Sequence, residues 1–111
     1  MTLQELHWKF EKTTAGWVTV KKIEDVPENW IFKVVNFSLT NSKFPLCVVN
    51  TGVGDIAART MSAVATPAYL AHTTSFVKDF PVMKGDTVTF QCCTNEDADV
   101  VTVMVLYEVI P

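Results

Sequence analysis

The amino-acid sequence predicts an all-β fold, one antiparallel β-sandwich of about eight strands. Three observations predict it. Apolar and polar residues alternate over short runs, as where Leu6, Trp8 and Phe10 interleave with His7 and Lys9, and that is the period of a half-buried strand. Turn chemistry interrupts those runs at intervals of roughly ten residues. No stretch sustains a helical apolar period, so helix should be scarce.

The elements follow in order. Leu6 to Phe10 is the first strand, and Thr13-Thr14-Ala15-Gly16 turns the chain into a second at Trp17 to Ile23. Asp25-Val26-Pro27-Glu28-Asn29 breaks that strand, because proline donates nothing to a ladder. Trp30 to Leu39 reads as apolar on both sides, with Trp30, Phe32 and Val34 set against Ile31, Val35 and Phe37. After Thr40-Asn41-Ser42-Lys43, the fourth strand runs from Phe44 to Val49, with Pro45 near its entry. Thr51-Gly52-Val53-Gly54-Asp55 reads as a loop. Ile56 to Val64 is weaker: Ile56-Ala57-Ala58-Arg59-Thr60-Met61 fits a helical turn, but the Thr, Val and Ser around it favour strand. Tyr69 to Val77 is the sixth piece, which Asp79-Phe80-Pro81 ends. The last two strands flank the acidic turn Thr94-Asn95-Glu96-Asp97-Ala98-Asp99 and are expected to form a long hairpin. Regular short strands of this kind point to a sandwich or jelly roll.

Composition narrows the function. With 111 residues the chain makes a single domain, 1–111, that can bury a core without staples. Apolar residues are 49% of the chain, charged ones 19%, and the net charge is -3, which excludes disorder. The first fifty residues carry six Lys against five Asp/Glu; the rest carry three basic and seven acidic residues. A nucleic-acid binder would show a basic stripe, and none is visible. The start, Met1-Thr2-Leu3-Gln4-Glu5, lacks the features of a secretory signal. The uncharged stretch around Pro67 and His72 is too rich in Thr and Ser to span a membrane. Three cysteines, two of them adjacent, are no disulfide framework and read as reduced thiols.

Each candidate chemistry is weaker than ordinary packing. His7, His72, Cys47, Cys92 and Cys93 lack the paired spacing of zinc ligands. A Cys92–His72 nucleophile pair would need an activated thiolate, and an apolar mid-strand position has the opposite effect. Gly52-Val53-Gly54 lacks the lysine and the helix of a phosphate loop. Glu96, Asp97 and Asp99 lack the spacing and the glycine of a calcium loop. Asn36-Phe37-Ser38 lies inside a strand and is no glycosylation site. Trp8 and Trp30 share apolar faces with Phe10 and Phe32 and read as core, whereas Trp17, at a strand start, reads as exposed. The chain is expected to be no enzyme and to need no cofactor and no metal.

The closing strand is the positive clue. Val101, Val103, Val105, Tyr107 and Val109 line one face, and Val100, Met104, Leu106 and Ile110 the other. A strand that is apolar on both faces must be covered on both. Trp30, Phe32, Val101, Val103, Val105 and Tyr107 are expected in the core. Trp17, Met104, Leu106 and Ile110 are the candidate interface residues, and Met1 to Glu5 is a candidate arm reaching a neighbour.

The segment Phe80-Pro81-Val82-Met83-Lys84-Gly85-Asp86-Thr87-Val88-Thr89-Phe90 resembles the entry to the penultimate strand of viral and TNF-like jelly rolls. As a whole, the mildly acidic, signal-less chain looks like the decoration (cementing or stapling) proteins of tailed double-stranded DNA phages, of the Epsilon15 type in size. That resemblance implies a homo-oligomer, dimer or trimer, whose partner is the major capsid protein. It would be made in the host cytoplasm and sit on the capsid exterior, touching neither nucleic acid nor membrane. The alternative is a phage fibre head, a carbohydrate- or receptor-binding β-sandwich.

Overall fold

The computed structural model describes residues 3–11, 16–40, 46–53, 56–64, 66–67, 71–94 and 100–111. The strands are β1 (Gln4–Glu11), β2 (Gly16–Ile23), β3 (Asn29–Thr40), β4 (Leu46–Val53), β5 (Ile56–Val64), β6 (Thr66–Pro67), β7 (Ala71–Val82), β8 (Thr87–Thr94) and β9 (Val100–Ile110). No helix occurs among the described residues. One sheet has the order β1-β9-β3-β7-β6 and the other β2-β8-β4-β5, with every described pairing antiparallel. This is the expected jelly-roll-like sandwich.

One core unites the two sheets. Phe32 on β3 lies within 6.1–6.5 Å, ring centre to ring centre, of Trp30, Phe80, Phe90 and Tyr107. Phe90 comes from the opposite sheet, and the Trp8 ring meets it edge-on at 5.1 Å. Burying one such side chain contributes roughly 1.5–3 kcal/mol. All six residues expected in the core are there, and Trp8 packs half-buried against it.

The hairpin expected from the last two strands does not form. β8 lies between β2 and β4, whereas β9 lies between β1 and β3 in the other sheet. Val88, Phe90 and Cys92 on β8 and Val101, Val103 and Val105 on β9 are all buried core residues. The two apolar faces therefore meet across the core, and the chain changes sheets between them. Residues 95–99, the acidic turn, lie outside the described residues, as do Phe44, Pro45, Gly54, Asp55 and Tyr69.

β3 also departs from simple alternation. Its pairing slips between Phe32 and Val34 against both neighbours. Lys33 is the extra residue of a bulge against β9, where Tyr107 and Leu106 are adjacent, whereas against β7 it faces two residues, 78 and 79. Trp30 and Phe32 face the core before the bulge, and Val35 and Phe37 face it afterwards, while Val34 turns outward. The apparent apolarity of both faces is a change of phase.

Three boundaries move. β7 continues through Asp79-Phe80-Pro81, because Phe80 stacks on Phe32 in the core. Pro81 is tolerated because β6 pairs only with Thr73 and His72, leaving that side of β7 open. β4 extends through Gly52 and Val53, opposite β5. β1 begins at Gln4, where Tyr107 Oη donates to Gln4 Oε1 at 3.1 Å. Gln4 and Glu5 pair with Tyr107 and Leu106, so these two residues belong to the sheet and not to an arm.

The Lys84-Gly85-Asp86 segment is a clasp. Met83 N–H donates to Asp86 Oδ2 at 2.8 Å, and Asp86 N–H to Met83 O at 3.0 Å. Gly85 takes the positive φ, 87°, that closes the turn. Gly85 N–H donates to Val26 O and Val26 N–H to Asp86 O, while Lys84 N–H reaches Asn29 Oδ1 at 2.8 Å. The β2–β3 and β7–β8 connections are thereby tied together over the fully buried Val26.

Candidate functional site

Residues directly opposed on neighbouring strands share a sheet face. On the outer face of the β1-β9-β3-β7-β6 sheet, one row runs Glu5, Leu106, Val34, Val77. A parallel row holds His7, Met104 and Asn36. Strict alternation along β9 buries Val101, Val103, Val105 and Tyr107 and leaves Met104 and Leu106 half-buried on this outer face. β9 is a central strand, and no second layer covers its outer face among the described residues. Val77 is 75% exposed, so the Leu106–Val34–Val77 row is an apolar stripe open to solvent.

Charge borders that stripe. Lys33, pushed out by the bulge, donates to Asp79 Oδ1 at 2.9 Å. That hydrogen bond raises the Lys33 pKa above its ordinary value, with desolvation opposing it and the Asp79 and Glu108 charges assisting.

The other outer face differs in chemistry. Trp17 on the edge strand β2 is 55% exposed, as expected. Its row continues through Cys93 and Leu46. In the next row Thr19 opposes Gln91, and Gln91 opposes Val48. Asn50 Nδ2 donates to Gln91 Oε1 at 3.1 Å, and Gln91 Nε2 donates to Thr19 Oγ1 at 3.4 Å. A chain of polar side chains thus crosses three strands beside the exposed indole.

The four candidate interface residues therefore do not form one patch. Met104 and Leu106 share the β9 outer face, Ile110 sits half-buried at its end opposite Asn29, and Trp17 belongs to the other sheet. The sequence reading missed Val34, whose outward turn depends on the bulge. It also missed Val77, although alternation with Phe76, Phe80 and Val82 would place Val77 on the polar side with Asp79. Nothing local marked Thr19, Gln91 and Asn50 as neighbours, since three separate strands supply them.

Cys92 is fully buried opposite Cys47, and burial pushes the Cys47 thiol up to about 12, with the neighbouring Cys92 adding to it. Among the described residues, no three His, Cys, Asp or Glu side chains converge as a metal site would require. Thr51 Oγ1 and Trp8 Nε1 are buried without a hydrogen-bond partner.

No family model and no curated protein matches the chain in sequence. Solved structures do match its fold. Infectious bursal disease virus VP2, in a subviral particle, aligns over 99% of this chain at 8% identity with a TM-score of 0.52. The enzymatically active domain of bacteriophage CBA120 tailspike protein 4 aligns over 98% at 12% identity, also with a TM-score of 0.52. A disulfide-linked Bacillus endospore appendage aligns over 99% at 14% identity with a TM-score of 0.50. The chain spans 37% of the VP2 chain, 19% of the tailspike chain and 88% of the appendage chain. At these identities the likeness shows a jelly-roll-like β-sandwich fold alone.

Proposed function

We propose that this chain is a non-enzymatic structural protein that binds the outer surface of a viral capsid and bridges coat subunits, stabilising the shell. The observation that carries the proposal is the open Leu106–Val34–Val77 stripe across β9, β3 and β7. Burying apolar surface contributes about 25 cal/mol per Å² before association costs, so a modest patch suffices when several sites act together. A protein that binds only the assembled shell stabilises it by mass action. The partner is the major capsid protein, the protein self-associates as a dimer or trimer, and it resides on the virion exterior after synthesis in the host cytoplasm. The role uses no cofactor and involves neither nucleic acid nor membrane. The likeness to VP2 supports the fold this requires.

The test is co-sedimentation of the purified protein with candidate shells, read with its oligomeric state by light scattering. Binding to assembled shells but not to free coat subunits is expected. A monomer at micromolar concentration that ignores every shell would defeat the proposal. One observation favours the second reading, a glycan- or receptor-binding head: the exposed indole of Trp17.

A further inference from the structure

Trp17 and the polar side chains beside it lie on the sheet opposite the apolar stripe, so what they bind need not be the shell. Trp17 and Thr19 are both exposed on β2, and Gln91 is the diagonal neighbour of Trp17 on β8. Diagonal positions of an antiparallel pair are about 7–8 Å apart. A ligand about the size of one hexose ring can therefore lie on the indole and still reach the amide.

The amide is set in place. Gln91 accepts from Asn50 and donates to Thr19. A primary amide has two N–H donors and two acceptor lone pairs, so these two bonds leave one N–H and one lone pair of Gln91 for a ligand. Held at both ends, the group loses little rotamer freedom when it binds. A donor and an acceptor on one amide suit a pair of neighbouring sugar hydroxyls, and the exposed indole suits the C–H face of a pyranose ring.

Charge selects among glycans. The described side chains of the two rows are Trp17, Cys93 and Leu46, then Thr19, Gln91 and Val48, none of which carries a charge at neutral pH. The next row, Lys22, Thr89 and Asn50, brings one ammonium, which Glu24 Oε1 pairs at 3.2 Å. An acidic sugar would find no counter-ion in those two rows, and Lys22 beside them is already paired.

We infer that the outer face of the β2-β8-β4-β5 sheet binds a neutral hexopyranoside chain, with Trp17 as stacking platform and Gln91 as the hydrogen-bonding group. This rests on the glycan-binding reading and is independent of shell binding by the opposite sheet.

The experiment follows the three indole N–H resonances by NMR during titration to millimolar concentration with cello-oligosaccharide, β-1,4-galacto-oligosaccharide and, as an acidic chain, oligogalacturonate. Loss of one signal in Trp17→Ala assigns Trp17, and Trp17 is exposed enough that this variant should stay folded. A neutral chain should shift the Trp17 signal and leave Trp8 and Trp30 unmoved. Gln91→Ala should weaken that binding about tenfold, with its unchanged Trp8 and Trp30 signals reporting an intact core. A shift with the acidic chain alone, or binding indifferent to Gln91→Ala, overturns the inference while leaving a glycan-binding head intact. No shift with any of the three overturns both.

Discussion

Cys47 on β4 and Cys92 on β8 stand directly opposite one another, both facing the core and both without exposed surface. Adjacent in sequence, Cys92 and Cys93 have opposite fates, because neighbouring strand residues point to opposite faces. Iodoacetamide applied to the native protein should therefore label the half-buried Cys93 first and reach Cys47 and Cys92 only on unfolding, as peptide mass spectrometry can determine. Labelling of all three at one rate would contradict the buried pair.

The same burial sets an alkaline limit. The Cys47 thiol, ordinarily near 9.0, holds its proton up to about 12 in the folded protein. Between those values the unfolded chain binds fewer protons than the folded one, so stability falls as pH rises through the window. Urea midpoints should drop on moving from neutral to alkaline buffer, and Cys47→Ala should show a shallower drop from its own lower starting point.

Asp86 ties Met83, and through its backbone Val26, into one clasp. Asp86→Ala leaves the Met83 N–H without its acceptor and should cost about 1–3 kcal/mol, read as a lower urea midpoint with an unchanged slope. Gly85→Ala should cost about 1 kcal/mol through its positive φ alone, because nothing lies within 4 Å of a Cβ built there. A change within measurement error for Asp86→Ala would show the clasp to be incidental.

Thr51 is 1% exposed, and its hydroxyl has no partner. Thr51→Val keeps the shape, removes the buried hydroxyl and should stabilise the fold by about 1 kcal/mol. Destabilisation in the thermal melt would mean that the hydroxyl is satisfied after all.

Val77 separates packing from binding. Val77→Asp at a site this exposed should change stability by no more than about 0.5 kcal/mol, yet it places a charge in the middle of the apolar stripe. Co-sedimentation with shells should be lost while the melting temperature holds. Retention of shell binding would remove the stripe from the proposed contact. Val105→Asp, fully buried one position from Leu106, should instead prevent folding.

Most strands were legible because alternation is a local signal: Leu6, Trp8 and Phe10 announce β1, and Val101 to Tyr107 announce the core face of β9. Misreadings arose where one residue changed the phase. Lys33 reads as part of a strand with two apolar faces, and only its slip against both β7 and β9 explains why Val34 and Val35 diverge. The candidate surfaces were less legible than the strands. Leu106, Val34 and Val77 come from three strands, as do Thr19, Gln91 and Asn50, and no spacing along one chain segment joins either set.

By itself the sequence determined the all-β class, the approximate place of every strand but the two-residue β6, most of the core and the exposure of Trp17. Each follows from period, turn chemistry and hydrophobicity, which act over a few residues. Tertiary structure alone decided that β8 and β9 enter different sheets. Their local pattern fits a hairpin equally well; what separates them is that both apolar faces are satisfied at once by closing on each other across Phe32 and Phe90.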